Sequence, residues 1–410
     1  MPPRHRPSID STRRRLLATG GAALATSLST LTAGCLSSLP PLGGNQRYGR
    51  LDVPAGDDPT YRTWLPAPTS TDSPDPYAFV ALQSTGPRPG APEKFVAGRA
   101  YSKADVDYFG VGFENYDQFL DSSFGTVIEA AFNRAHVVET VAGSGYERTG
   151  QYRGFDVFAR SDVPRRVAVG DGVIVWTSEH VHSRPNLEAV VDAGGGERPR
   201  YHEANAGFEQ LTTAAGGNAY LIVNTESHDP TGRQAMLADA FRFDGETAYQ
   251  IVYYRYDGAS VPTTQALENA LREDDYRFSA EAETFDVHVD GQLATVETRI
   301  PFDSNRERDP QLDLPQVTWG GRHEAERVTI RHEAGESVRA DRLYYDIDHP
   351  DDAGEIEKRP LWSDADTVSS GAEATVDLSE HRDARGVSLV YSTGGTHFHV
   401  LFHVALEGDR

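Results

Sequence analysis

The chain has one cysteine, Cys35, in 410 residues. A single thiol excludes an internal disulfide framework, a metal centre built from several cysteines and a Cys-x-x-Cys redox pair. Lysine is nearly as scarce: of 39 basic residues only Lys94, Lys103 and Lys358 are not arginine. Asn-x-Ser/Thr does not occur, so N-glycosylation is not expected. There is no Gly-x-Ser-x-Gly elbow and no phosphate-cradling glycine loop. Positive charge is in deficit, 39 basic residues against 62 acidic for a net charge of −23. No basic patch is present to displace phosphate counterions, which argues against nucleic acid as a partner.

The thiol follows an uncommon stretch, TRRRLLATGGAALATSLSTLTAGC, residues 12–35. Leu16 to Gly34 is uncharged over 19 residues, close to the ~20 that span a bilayer as a helix. Nine of those residues are Gly, Ser or Thr, which is weakly apolar for a permanent anchor. A basic region, an apolar centre and small residues before a cut site form a secretory address. Arg13 and Arg14, followed by Leu16 and Leu17, resemble the twin-arginine export signal, and Leu31-Thr32-Ala33-Gly34-Cys35 resembles a lipobox. The resemblance implies that residues 1–34 are removed as a signal peptide and that lipid on Cys35 holds the chain at the membrane's extracytoplasmic face. One acyl chain binds only marginally, so lasting attachment calls for a two-chain lipid. An uncleaved N-terminal anchor is the competing account and places the body on the same side.

Without residues 1–34 the chain carries 34 basic and 61 acidic residues, a net charge of −27. An acidic surface with almost no lysine resembles the proteins of halophilic archaea, in which concentrated salt screens the self-repulsion. Acidic clusters are therefore read first as solvated surface.

Residues 35–76 hold eight of the 24 prolines and read as a lipid-anchored, Pro-rich tether, with Trp64 and Leu65 suggesting that its second half packs on the body. From 77 to 301 strand and helix patterns mix. YAFVALQ, GTVIEAAF, AFRFDG and AYQIVYYRY read as strands; HVVETVAG, NLEAVVDAGGG, GFEQLTTAAGG and TTQALENALRED read as helices. FDVHV and ATVETRI flank Asp290-Gly291, a hairpin signal. An offset of 130 aligns Tyr146 with Tyr276, Phe155-Asp156-Val157 with Phe285-Asp286-Val287, and Val137 and Val141 with Leu267 and Leu271. The expectation is an α+β fold with a duplicated antiparallel-sheet-plus-helix domain, each copy carrying its helices on one face.

Residues 302–316 form a charged linker. From 317 to 410 strand patterns dominate, with turn residues between them, as in an Ig-like β-sandwich domain. The succession VTIRHEAGESVRADRLYYDI, VSSGAEATVDL and GVSLVYSTGG is similar to the β-domain of archaeal type IV pilins. That resemblance implies the sandwich; the filament is not implied, because a lipobox stands where pilins have an assembly helix.

Chemistry-bearing residues are few. In TGGTHFHVLFHV a strand would point Phe398, Val400, Phe402 and Val404 inward and His397, His399, Leu401 and His403 outward. His397 and His399, with Cα atoms ~6.7 Å apart, could share one copper or zinc ion if His332 or His381 supplied a third ligand. The competing account is a wet strand face decorated with histidine. A second pair, His180 and His182, has no link to the first. Asp346, Asp348, Asp351, Asp352 and Glu355 lack the alternation and central glycine of an EF-hand loop. RHEAE and RHEAG lack the second histidine of a zinc-protease helix. The sequence thus predicts a membrane-anchored extracytoplasmic lipoprotein with a binding or structural role in the cell envelope, an envelope protein as its partner and no catalysis or cofactor. The alternatives are a copper- or zinc-binding protein and an envelope enzyme without a recognised motif.

Overall fold

A computed structural model describes residues 51–69, 77–86, 88–258, 261–273, 278, 282, 285–303, 312–349, 357–394 and 397–406. Arg13, Arg14 and Cys35 lie outside the described residues. The fold is mixed, with antiparallel sheet outweighing helix.

The first body runs β1 (Ala78–Gln83), α1 (Glu93–Ala104), β2 (Gln118–Ser122), β3 (Thr126–Glu129) and α2 (Arg134–Gly143). It continues through β4 (Glu147–Tyr152), β5 (Phe155–Ala159), β6 (Arg165–Val169) and β7 (Val173–Ser178) to α3 (Leu187–Gly195), α4 (Tyr201–Ala204) and α5 (Ala206–Ala215). Then come β8 (Tyr220–His228), β9 (Gln234–Asp244), β10 (Thr247–Arg255), α6 (Thr264–Glu273), β11 (Phe285–Asp290) and β12 (Leu293–Pro301). Asparagine starts three of these helices: the side-chain oxygens of Asn133, Asn186 and Asn205 accept from backbone N–H groups of α2, α3 and α5. In the hairpin, Asp290 is the last strand residue and pairs with Leu293; Gly291, at φ +56°, and Gln292 make the turn, the type II′ pattern.

All twelve strands join one antiparallel sheet, ordered β11-β12-β10-β9-β8-β1-β2-β3-β7-β6-β5-β4. The two halves meet at the β1–β8 pair, and in each a three-stranded meander and a helix precede the strand that returns beside the third. Helices cover both faces, not one. Phe79, Val127, Ile251 and Tyr253 pack under Leu187 and Val190 of α3 and Phe208 and Leu211 of α5. On the opposite face Leu82, Ile128 and Ile174 meet Phe95 of α1 and Val137 and Val141 of α2, while Leu267 and Leu271 of α6 cover Val252, Tyr254 and Val296. A sheet with two buried faces hides its alternation, which is why β8, apolar at Tyr220, Leu221, Ile222 and Val223, shows no period of two.

The segment assigned to the tether is partly body. Asp57 bridges to Gly217 and Pro66 to Arg200, and the 3₁₀ turn Thr60–Trp64 between them buries Tyr61, Trp64 and the following Leu65 under α3 and α5.

The second body comprises β13 (Val317–Glu324), β14 (Arg327–Gly335), β15 (Val338–Arg339), β16 (Leu343–Asp348), β17 (Arg359–Pro360), β18 (Thr367–Val368), β19 (Glu373–Asp377), β20 (Gly386–Gly394) and β21 (His397–Ala405). Sheets β13-β14-β19 and β17-β16-β20-β21 share a core of Trp319, Val328, Ile330, Val376, Leu343, Leu389 and Phe402, and a short β15-β18 pair adds Val338 and Val368. Ala100, Ala104 and Val163 of the first body enter the same core. The stretch expected as a linker also packs: Leu314 and Gln316 are buried, and Gln316 Oε1 accepts from Phe113 N at 3.0 Å.

Candidate functional site

His399 and His403 of β21 face the first body. β21 pairs with β20 across an irregularity: Phe402 lies opposite Leu389 and Val400 opposite Val390, so Leu401 is extra. That bulge buries Leu401, expected outside, together with Phe402 and Val404. His403 is also buried; its Nδ1 lies 3.0 Å from the Ser388 hydroxyl and its ring 5.6 Å from that of His180. His403 and His180, far apart along the chain, therefore meet between the bodies.

His399 Nε2 is 3.0 Å from Asp105 Oδ1, just beyond α1, and its ring packs on Tyr101 at 5.3 Å. Of His397 only the backbone is described. The two residues weighed as a third ligand stand elsewhere. His332 is buried against Trp319, bonded to the Glu336 carbonyl at 2.7 Å, and burial holds its pKa below the usual histidine value. His381 turns its Nδ1 to His349 Nε2 at 3.1 Å. Among the described residues no group of three or more His, Cys, Asp or Glu could hold a metal ion. His182 is enclosed with Asp121 and Thr126, its Nε2 3.0 Å from each oxygen.

A charged seam runs along the same contact. Arg160, with a fully buried side chain, bonds Asp162 at 2.6 Å and Glu333 of β14, whose side chain is 3% exposed. Burial opposes ionisation of Asp162, but the Arg160 guanidinium and the Gly321 N–H outweigh it and hold the carboxyl below its usual pKa. Arg165 donates to Asp107 at 2.7 Å and lies over the rings of Trp176 and Phe402, one from each body. Tyr146 donates to Asp107 at 2.6 Å and accepts from Trp176 at 2.9 Å. Gly320 and Gly145 make room, since a Cβ at either would fall within 3 Å of Glu333 and Arg160. Every acid and base in this seam has a partner of opposite charge or a hydrogen bond. Such an arrangement joins the two bodies.

A groove of about 330 Å³ lies between Trp64, Arg153, Phe155, Val191, Gly194 and Glu197, beside an open face formed by Arg148 to Gln151 on edge strand β4. Arg153 is tied to Asp192 at 3.2 Å within it. Among the described residues no helix is long and apolar enough to cross a membrane.

No family model matches the chain, and no curated protein does. Similar solved structures exist. Crystal form III of TP0453 is 11% identical, with 58% of this chain and 93% of that one covered at a TM-score of 0.35. Crystal form I is 10% identical, with 55% and 88% covered at 0.35, and crystal form IV is 11% identical, with 55% and 88% covered at 0.33. Likeness at that level carries no argument about what the chain does.

Proposed function

We propose that the protein is a lipoprotein, exported by the twin-arginine route and anchored through Cys35 to the extracytoplasmic face of the membrane of a halophilic archaeon, with a binding or structural role in the cell envelope. The observation that carries the proposal is the order of parts in residues 12–35: Arg13 and Arg14, an uncharged run, small residues and the chain's only cysteine. The acidic, lysine-poor composition supports the salt-rich setting. A protein partner in the envelope would meet the exposed edge strand β4.

We also propose that the first body arose by duplication and that the second is an Ig-like sandwich. Matching meanders on either side of β1–β8, and α2 and α6 with their buried apolar pairs at an offset of 130, support the duplication. The Phe-Asp-Val match is one strand out of step with the sheet order, because β5 is separated from β3 by two strands and β11 from β10 by one. Copper or zinc held by His397 and His399, the alternative, rests on their spacing alone.

The test is mass spectrometry of the mature N-terminal peptide with membrane fractionation. A two-chain lipid in thioether linkage on Cys35, loss of membrane association in Cys35→Ser and retention inside the cell in Arg13→Lys/Arg14→Lys are the expected results. An unmodified Cys35 in the mature protein would overturn the anchor.

A further inference from the structure

We propose that His349 and His381 form a binding site for one divalent transition-metal ion, copper or zinc, separate from the His397/His399 pair and independent of the lipid anchor. His349 follows directly on β16, and His381 lies in the turn between β19 and β20. One backbone bond joins the two segments, Arg385 N donating to the Asp348 carbonyl at 2.7 Å, and two shape the turn around His381, its N–H donating to the Leu378 carbonyl at 2.8 Å and Ala384 N to the His381 carbonyl at 3.1 Å. His349 Nε2 and His381 Nδ1 are 3.1 Å apart. Two imidazole nitrogens bound to one tetrahedral ion at 2.0–2.1 Å stand roughly 3.3 Å from each other, so the pair needs only a small adjustment to share an ion.

The surroundings suit that use. The far nitrogen of His349, Nδ1, lies 3.1 Å from Asp383 Oδ1. Its N–H donates to the carboxylate, which fixes the tautomer and leaves the Nε2 lone pair directed at His381, the carboxylate–histidine–metal arrangement. The His349 side chain is about one-quarter exposed, so an ion and its remaining waters can reach it. Among the described residues, one group opposes the ion. Arg359 Nη1 lies 3.3 Å from His381 Nε2, which favours a proton on Nδ1, where metal would bind. That side chain is 31% exposed and its guanidinium is also held by Glu357 at 2.8 Å, so it can turn aside. In the metal-free protein one proton then occupies the place of the ion, between Nδ1 and Nε2. Asp383 is a positioning residue and Arg359 a restraint.

The experiment uses the full chain, purified in concentrated salt and dialysed against Cu²⁺ or Zn²⁺, with electron paramagnetic resonance of the copper form. We expect one ion per chain, retained in His397→Ala/His399→Ala, with nitrogen hyperfine structure from two imidazoles. His349→Ala or His381→Ala should abolish it, Asp383→Asn should weaken it 10- to 100-fold, and Arg359→Ala should tighten it. No bound ion, an ion that survives loss of either His349 or His381, or a copper signal without two nitrogens would overturn the site. If a His349 or His381 variant fails to fold, the copper spectrum of the His397→Ala/His399→Ala chain decides the matter, since loss of the two-nitrogen signal there would overturn the site.

Discussion

Single residues at the contact between the bodies carry unequal weight. Arg160 and Glu333 are desolvated together, so removing one leaves the other charge without full compensation. Glu333→Ala should therefore destabilise the protein by about 3 kcal/mol, measured as a lowered denaturant midpoint in concentrated salt. The exposed pair Arg339–Asp341, with side chains 70% and 61% exposed, should by contrast leave the denaturant midpoint almost unchanged when either partner is replaced. His332 adds a pH dependence. Burial lowers its pKa in the folded state, so the unfolded chain binds the proton first as pH falls. Its contribution is intact above the unfolded pKa of ~6.5 and is lost progressively below it. Thermal unfolding from pH 8 to pH 5 should show that loss, and His332→Gln should flatten the slope over the same window.

At the scale of elements, the strap before β1 and the bulge in β21 decide how the parts fit. Trp64 is 8% exposed, donates to Glu129 at 2.7 Å and rests on Gly194, where a Cβ would approach its ring to 2.0 Å. Gly194→Val should lift the strap from α3. Limited proteolysis should then cut within residues 51–69 at a concentration that leaves the parent intact. Trp64 and Leu65 were legible in the sequence as packing residues, because two large apolar side chains are out of place in a proline-rich stretch. α1 was not. EKFVAGRAYSKA carries a glycine at its centre and buries Arg99 and Lys103, so no apolar stripe marks it. Gly98 is needed for the close approach of Tyr220, and Lys103 is compensated by Glu336, 233 residues away. The bulge at Leu401 was equally hidden, since a period of two assumes an unbroken ladder.

For the whole molecule, net charge governs behaviour in salt. At −23 over 410 residues, self-repulsion opposes the compact state wherever counterions are dilute. Lowering KCl from molar to about 0.1 M lengthens the Debye length from ~3 to ~10 Å, and the unfolding temperature should fall accordingly. A temperature that does not change between the two conditions would remove the basis for a salt-adapted surface. Three lysines also make amine-directed cross-linkers poorly suited to capturing an envelope partner. Carboxyl-directed reagents on intact cells should do so, and cross-links concentrated on β4 would favour recognition along that edge.

Composition, the order of parts in residues 12–35 and the succession of strand and helix patterns are local properties, and the sequence by itself determined them. Charge, hydropathy and turn chemistry act on neighbours along the chain, so they can be read in order. Only the tertiary structure decided that two expected sheets are one, that helices cover both of its faces, and that His399 meets Asp105, His403 meets His180 and His381 meets His349. Those partners are separated by 32 to 294 residues. A side chain's neighbour at such distances depends on sheet order and register, which arise only when the whole core is buried at once.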